Sequence, residues 1–356
     1  MTNLKNIAWN RMAPASFFLM LAMVTAIVAC STTDSGEDRT VPPTATMTPR
    51  DTPVPTVTPV PTPIPTPEPA STPEPTPEPY SLEIVDMLGR TVEIKTRPAR
   101  IVSISPTSTE MLYVAGGTAV ARDSSSTFPA EVVDLPELGG AYSPSFEAIA
   151  AQRADLILIE ALTQGRFLEP LSQLGAPVVA VRATSLDDVT MGIKLIGQII
   201  ESTETAEQAA EEISSRVTSS VEGLSEGKSV LILVSDADRN LYAAKPQSYP
   251  GAIASMLKLS NPAAELPDSG TFPGFAGISA EQILTMDPDF VFAITPAPEP
   301  APRLSAVLPR IPGFSNLQAV TSGQMHEIDH VIFLRNPGPR IAVAVEAMAE
   351  LVGGSP

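Results

Sequence analysis

The chain of 356 residues holds one cysteine, Cys30, one tryptophan, Trp9, and two histidines, His326 and His330. A lone cysteine forms no internal disulfide and cannot hold an iron–sulfur cluster, which excludes the cysteine-dependent reductases built on two-lobed α/β scaffolds. Two histidines cannot supply a three-histidine site for bare zinc or manganese, and they argue against the alternative from another class, a metal chelatase-like enzyme with clustered histidines. Basic residues are scarce as well. Against 40 Asp and Glu stand 22 Lys and Arg, a formal net charge of −18, which repels nucleic acid and anionic membranes alike and leaves any ligand site to be local.

What is present falls into three unlike segments. Residues 1–29 carry only Lys5 and Arg11 as charges and then run apolar through "FFLMLAMVTAIVA" to Cys30, the layout of an export signal too short for a comfortable membrane span. The ending "IVAC", with small Ala29 ahead of Cys30, resembles the lipobox of bacterial lipoproteins. That resemblance implies that Cys30 becomes the lipid-modified first residue of the mature chain, anchored to the extracytoplasmic face of the cell membrane by two or three acyl chains. A cleavable signal with an incidental cysteine is the alternative. Residues 30–80 form a stalk by composition, with 15 of the 38 prolines between positions 41 and 80. Such a segment cannot build a core and favours polyproline II, whose rise of about 3.1 Å per residue gives a reach on the order of 100 Å.

From residue 81 onward, strand and helix signals alternate. "RIVSIS" (100–105), "ADLILIE" (154–160) and "PVVAV" (177–181) read as buried strands, with "STEMLYVAGG" and "FLEPLSQLG" as helices between them. After "KSVLILVS" (228–235) the rhythm begins again, ending in the helix "PRIAVAVEAMAELV". The pattern predicts an α/β class with parallel sheets in two lobes, residues 81–184 and 227–356. Between them, residues 185–226 read as linking helices, one capped by Ser185 and running to about Ile200, the other from about Glu204 to Leu224.

One phrase occurs twice. "SFEAIAAQRADLILI" from Ser145 and "SAEQILTMDPDFVFA" from Ser279 both fit S-x-E-x-I-x5-D before an apolar strand. Together with "DMLGRTVEIKTRPARIVSISPTSTEMLYVAGG" and "FPAEVVDLPELGG", these stretches resemble the periplasmic-binding-protein family of ABC importers for iron complexes and cobalamin. The resemblance implies two lobes with parallel sheets joined by one long α-helix, a ligand held in the cleft between them, no enzymatic activity and no cofactor. It implies a monomer whose partners are ABC permease and ATPase subunits. It also implies that Glu147 and Glu281, one on each lobe, pair with arginines of the permease. The bland alternative is that both glutamates are N3 capping residues answering Ser145 and Ser279.

The ligand is approached through the loops where a cleft should fall, at the carboxyl ends of the strands. Candidate contacts are Tyr142 and Glu160 in the first lobe, and Arg239, Tyr242, Lys245, Tyr249, Phe272, Phe333, Arg335 and Arg340 in the second. The cations suit an anionic ligand such as a ferric siderophore or the propionates of haem, the rings supply flat apolar contact, and a tyrosine or histidine can be an axial haem ligand. A corrinoid is the alternative, ranked lower because the only tryptophan lies in the leader. Core packing for Phe333 and helix pairing for Arg340 are the competing roles.

Overall fold

A computed structural model describes residues 80–353; the leader with Cys30 and the Pro/Thr-rich segment up to residue 79 lie outside the described residues. The fold opens with a hairpin of β1 (Leu82–Val85) and β2 (Thr91–Ile94), whose buried side chains alternate with exposed ones. Asp86 in its turn is buried and accepts hydrogen bonds from the amides of Leu88 and Arg90, both at 3.0 Å, and of Ala180 at 3.1 Å. One carboxylate therefore shapes the turn and fastens it to the first sheet.

That sheet consists of β3 (Ile101–Ser103), β4 (Ala121–Arg122), β7 (Leu156–Glu160) and β8 (Val178–Val181), in the order β4-β3-β7-β8 and wholly parallel. Its crossovers carry α1 (Pro106–Val114), the two-residue strands β5 (Gly139–Gly140) and β6 (Ser143–Pro144), α2 (Phe146–Ala151), α3 (Ala161–Gln164) and α4 (Leu168–Ser172). The link consists of α5 (Leu186–Ile199), whose cap Ser185 accepts from the Asp188 amide, and the 19-residue α6 (Thr203–Val221). These two fold back on one another at a point where Gly197 leaves no room for a side chain, since a Cβ there would lie 2.2 Å from that of Ala206. The second of them, α6, is the long helix that joins the lobes.

The second lobe holds β9 (Val230–Ser235), β10 (Leu241–Ala244), α7 (Tyr249–Met256), β11 (Phe275–Gly277), α8 (Ala280–Met286), β12 (Phe290–Ile294), α9 (Leu304–Val307), α10 (Gln318–Thr321), β13 (Met325–Glu327) and α11 (Ile341–Gly353). Its sheet runs β11-β10-β9-β12-β13. β9, β12 and β13 are parallel, but β10 pairs antiparallel with both β9 and β11, so this sheet is mixed where the sequence pattern predicts a parallel one. The cause is a tight β9–β10 hairpin inside a stretch, 236–249, that reads as loop because its apolar run is only four residues long.

Both central strands sort their side chains between two layers. Leu156 and Leu158 of β7, with Phe290, Phe292 and Ile294 of β12, face one cluster that also takes in Ile193, Ile213, Ile341 and Met348 from the helices between the sheets. Ile157 and Ile159 face an outer cluster of the first lobe, and Val291 and Ala293 an outer cluster of the second. The inner cluster is continuous from lobe to lobe. Near-continuous apolar strands follow from this double coverage.

Candidate functional site

The carboxyl ends of β3 and β7 meet those of the second lobe around two adjoining cavities of about 330 and 680 Å³, which share Tyr142, Phe275, Leu334 and Arg335. The smaller one is lined from the first lobe by Ser105 and Thr107 at the start of α1, by Glu160 and by Leu162, and from the second by Tyr249 and Asn336. The larger one is walled by Tyr242, Phe272, Pro296 and Pro302, with Asp236 on its edge.

Several of the site's side chains and loops are set by hydrogen bonds. Gln164 is fully buried, donates to the carbonyls of Ile104 and Ala141, and accepts from the Glu160 amide at 2.9 Å. With Arg166, which donates to the Tyr142 carbonyl at 3.0 Å, it fixes the backbone of a loop whose tyrosine ring stays 69% exposed. Glu160 itself caps α3, accepting from the amide and hydroxyl of Thr163, both at 2.7 Å. Across the cleft, Asp236 accepts from the Asn240 amide and side chain, each at 2.8 Å, and from the Tyr242 hydroxyl at 3.1 Å. The Asn240 side chain first, with that hydroxyl in support, holds the Asp236 carboxyl below its ordinary value, so it stays charged. The Tyr242 ring meets Phe272 edge-on at 4.9 Å between centroids.

A single π-turn, Val331–Arg335, decides two further residues. It sends Phe333 into the inner core at 1% exposure and leaves Arg335 exposed on both cavities. Phe333 is therefore a core residue and not a cleft contact. Arg340 is removed too, because its guanidinium forks onto Glu110 of α1 at 2.6 and 3.0 Å and lies 4.7 Å from the Phe128 ring centre. Burial pushes the Glu110 carboxyl up, against the pull of Arg340. Lys245 is spent on Asp268 at 2.6 Å, and Arg239 sits at a left-handed turn position, φ 67°, outside both cavities. Tyr249 lines the smaller cavity but is only 7% exposed, and burial pushes its hydroxyl up. His326 packs on Phe292, and neither histidine lines either of these two cavities. Among the described residues no group of three His, Cys, Asp or Glu is placed to hold a metal ion.

A periplasmic binding protein family model matches residues 101–331. The chain belongs to that family. An ABC transporter substrate-binding lipoprotein of Bacillus subtilis, YvrC, is 25% identical over 77% of this chain and 86% of its own length. A vitamin B12-binding protein of Vibrio campbellii is 24% identical over 54% of this chain and 70% of its own. The fold matches that of the petrobactin-binding protein YclQ of Bacillus subtilis with a TM-score of 0.68 at 17% identity, covering 76% of this chain and 99% of that one. This is the two-lobed, helix-bridged architecture, and its relatives are substrate-binding proteins of transporters rather than enzymes.

As a member of this family the chain repeats its phrase for reasons the structure resolves residue by residue. Ser145 and Ser279 cap α2 and α8. Ile149 and Ile283 are buried in the two outer clusters. Asp155 accepts from the amides of Ala99 and Arg100, both at 2.8 Å, and Asp289 from the amide and hydroxyl of Ser229, at 2.8 and 2.9 Å, so each ties the start of its neighbouring strand. Glu147 and Glu281 sit one residue too early for the capping-box position, which Ala148 and Gln282 occupy, and Gln282 returns the bond to Ser279 at 2.9 Å. The N3 capping role is thereby ruled out. Both glutamates are exposed, and among the described residues neither carboxylate has a partner.

Leu162, Phe275 and Leu334 lie in stretches that sequence reasoning places at the cleft, but it missed the Pro296–Pro302 wall. The wall had a legible signal, a proline-rich loop directly after the central strand "DFVFAI", where sheets of this class bind ligands.

Proposed function

We propose that the protein is a lipid-anchored, extracytoplasmic substrate-binding protein of an ABC importer, capturing an iron complex, a ferric siderophore or haem, between its lobes and delivering it to the permease. The observation that carries this is the pair of adjoining cavities sharing Tyr142 from one lobe with Phe275, Leu334 and Arg335 from the other. Together they offer a bulky ligand aromatic and aliphatic walls and one cation. A corrinoid is the second reading, supported by the vitamin B12-binding relative. Lipid anchoring at Cys30 is supported by the "IVAC" junction and by the lipoprotein relative; among the described residues no helix is long and apolar enough to cross a membrane. Membrane fractionation of a Cys30→Ser variant tests the anchor.

Binding is tested by calorimetry and thermal unfolding against ferric siderophores, haem and cobalamin. A ligand present at 100 times its Kd stabilises the folded state by about 2.7 kcal/mol, a readily measured rise in Tm. The combined Tyr142→Ala and Arg335→Ala variant is expected to lose most of that rise. No binding across the panel would dismiss the ligand class.

A further inference from the structure

We propose that the ligand is a metal complex carrying at most one anionic group, received by Arg335, and that the cleft discriminates against polyanionic complexes. This rests on the reading of the cleft as the ligand site and narrows its chemistry to low-charge siderophores or a corrinoid, setting aside haem with its two propionates.

Most cations around the cleft are spent on other groups, and Arg239 lies outside both cavities. Arg340 is forked onto Glu110, Lys245 onto Asp268, and Arg182 onto Asp188. Arg303, beside the Pro302 wall, pairs with Glu299 at 2.9 Å, and Arg166 turns to the Tyr142 carbonyl. Each of these charges is matched or directed elsewhere. Arg335 differs, because it lines both cavities and makes no ion pair with any described residue. The same linings carry two carboxylates, Glu160 and Asp236. Both accept hydrogen bonds from their own loops, and neither is paired with Arg335. A complex with three negative charges would meet one guanidinium and two carboxylates at close range in a partly desolvated cleft, an arrangement that opposes binding. A neutral chelate meets no such opposition, and one with a single phosphate or carboxylate gains a fork-shaped donor with no competing partner. The remaining walls, Tyr142, Tyr242, Phe272 and Leu334, suit an apolar ligand body.

The experiment titrates the full mature chain with three probes, a neutral ferric tris-hydroxamate, a trianionic ferric tris-catecholate and cyanocobalamin with its single phosphodiester. The expected result is that at least one of the two low-charge probes binds more than about tenfold tighter than the tris-catecholate. Arg335→Ala should then cost the phosphodiester probe about tenfold while changing the neutral probe less than about threefold, and Arg335→Lys should restore part of the loss. Tris-catecholate binding as tight as the others would overturn the charge rule while leaving the cleft as a metal-complex site. Loss of all probes equally in Arg335→Ala would assign that residue to shape and overturn its anchoring role. Failure of every probe to bind the unsubstituted chain would overturn this proposal together with the reading beneath it.

Discussion

Asp188 illustrates how much one side chain can decide. It is 5% exposed and receives Arg182 through two bonds of 2.8 Å and the Thr184 amide at 3.1 Å, while its own amide is capped by Ser185. Burial alone would push its carboxyl up, but the bonds from Arg182 and Thr184 outweigh burial and hold it below the ordinary value of 3.8. A carboxylate with a depressed folded-state value contributes stability that is present above its unfolded value and lost as pH falls through the folded one. Asp188→Asn should therefore lower Tm at neutral pH, by an amount corresponding to about 1.5 to 3 kcal/mol for a charged hydrogen-bonded group. It should also flatten the acid limb of the stability curve below pH 3.8. Unfolding monitored by circular dichroism from pH 2 to 7 checks both, and an unchanged acid limb would remove Asp188 from the acid transition.

Helices α2 and α8 carry the second lesson, because each divides its first turn between folding and an outward-facing charge. The serine cap, the buried isoleucine and the strand-tying aspartate account for the shared fold of the two motifs, and the glutamates are left over. Carboxylates at a helix start are favoured by the macrodipole, so their exposure there is stable without a partner. The combined Glu147→Gln and Glu281→Gln variant is expected to keep Tm and ligand affinity while transport in a reconstituted importer falls sharply. A charge-assisted bond buried on docking accounts for roughly 2 to 5 kcal/mol, less at a wet rim. Equal uptake by the variant at limiting protein concentration would reduce the repeated phrase to common descent of the lobes.

For the molecule as a whole, the decisive feature is that the lobes share a core. The inner cluster runs from β2 through α5, α6 and α11 to β12, and both lobes fall within one compact unit. Across it stand the Glu110–Arg340 fork, the bond from the Thr107 hydroxyl to the Pro337 carbonyl at 2.7 Å, and the Arg216–Glu346 fork between α6 and α11, both of its bonds 2.8 Å. Such a molecule should unfold in one transition, with the floor of its cleft fixed. Arg340→Ala leaves Glu110 buried and unpaired, and the expected loss is about 3 to 5 kcal/mol. Replacing the pair together, Glu110→Met with Arg340→Leu, should recover most of it. Calorimetry on the three proteins checks this; two resolved transitions in the unsubstituted chain would contradict the shared core.

The sequence by itself determined the α/β alternation around the central strands, the serine caps, the two linking helices and the duplicated phrase. These are local matters, written in periodicity and in groups three or four residues apart. Tyr142, Glu160, Tyr242, Phe272 and Arg335, which line the cavities, were also legible as candidates, since they fall in stretches that read as strand ends and the loops after them. Tertiary structure alone decided which cations remain available. Arg340 is neutralised by a glutamate 230 positions away and Lys245 by an aspartate 23 positions away. The π-turn separates Phe333 from Arg335, although only Leu334 lies between them in the sequence. Pairing of charges depends on which groups folding brings within a few ångströms, and that proximity is set by packing of the whole chain rather than by spacing along it.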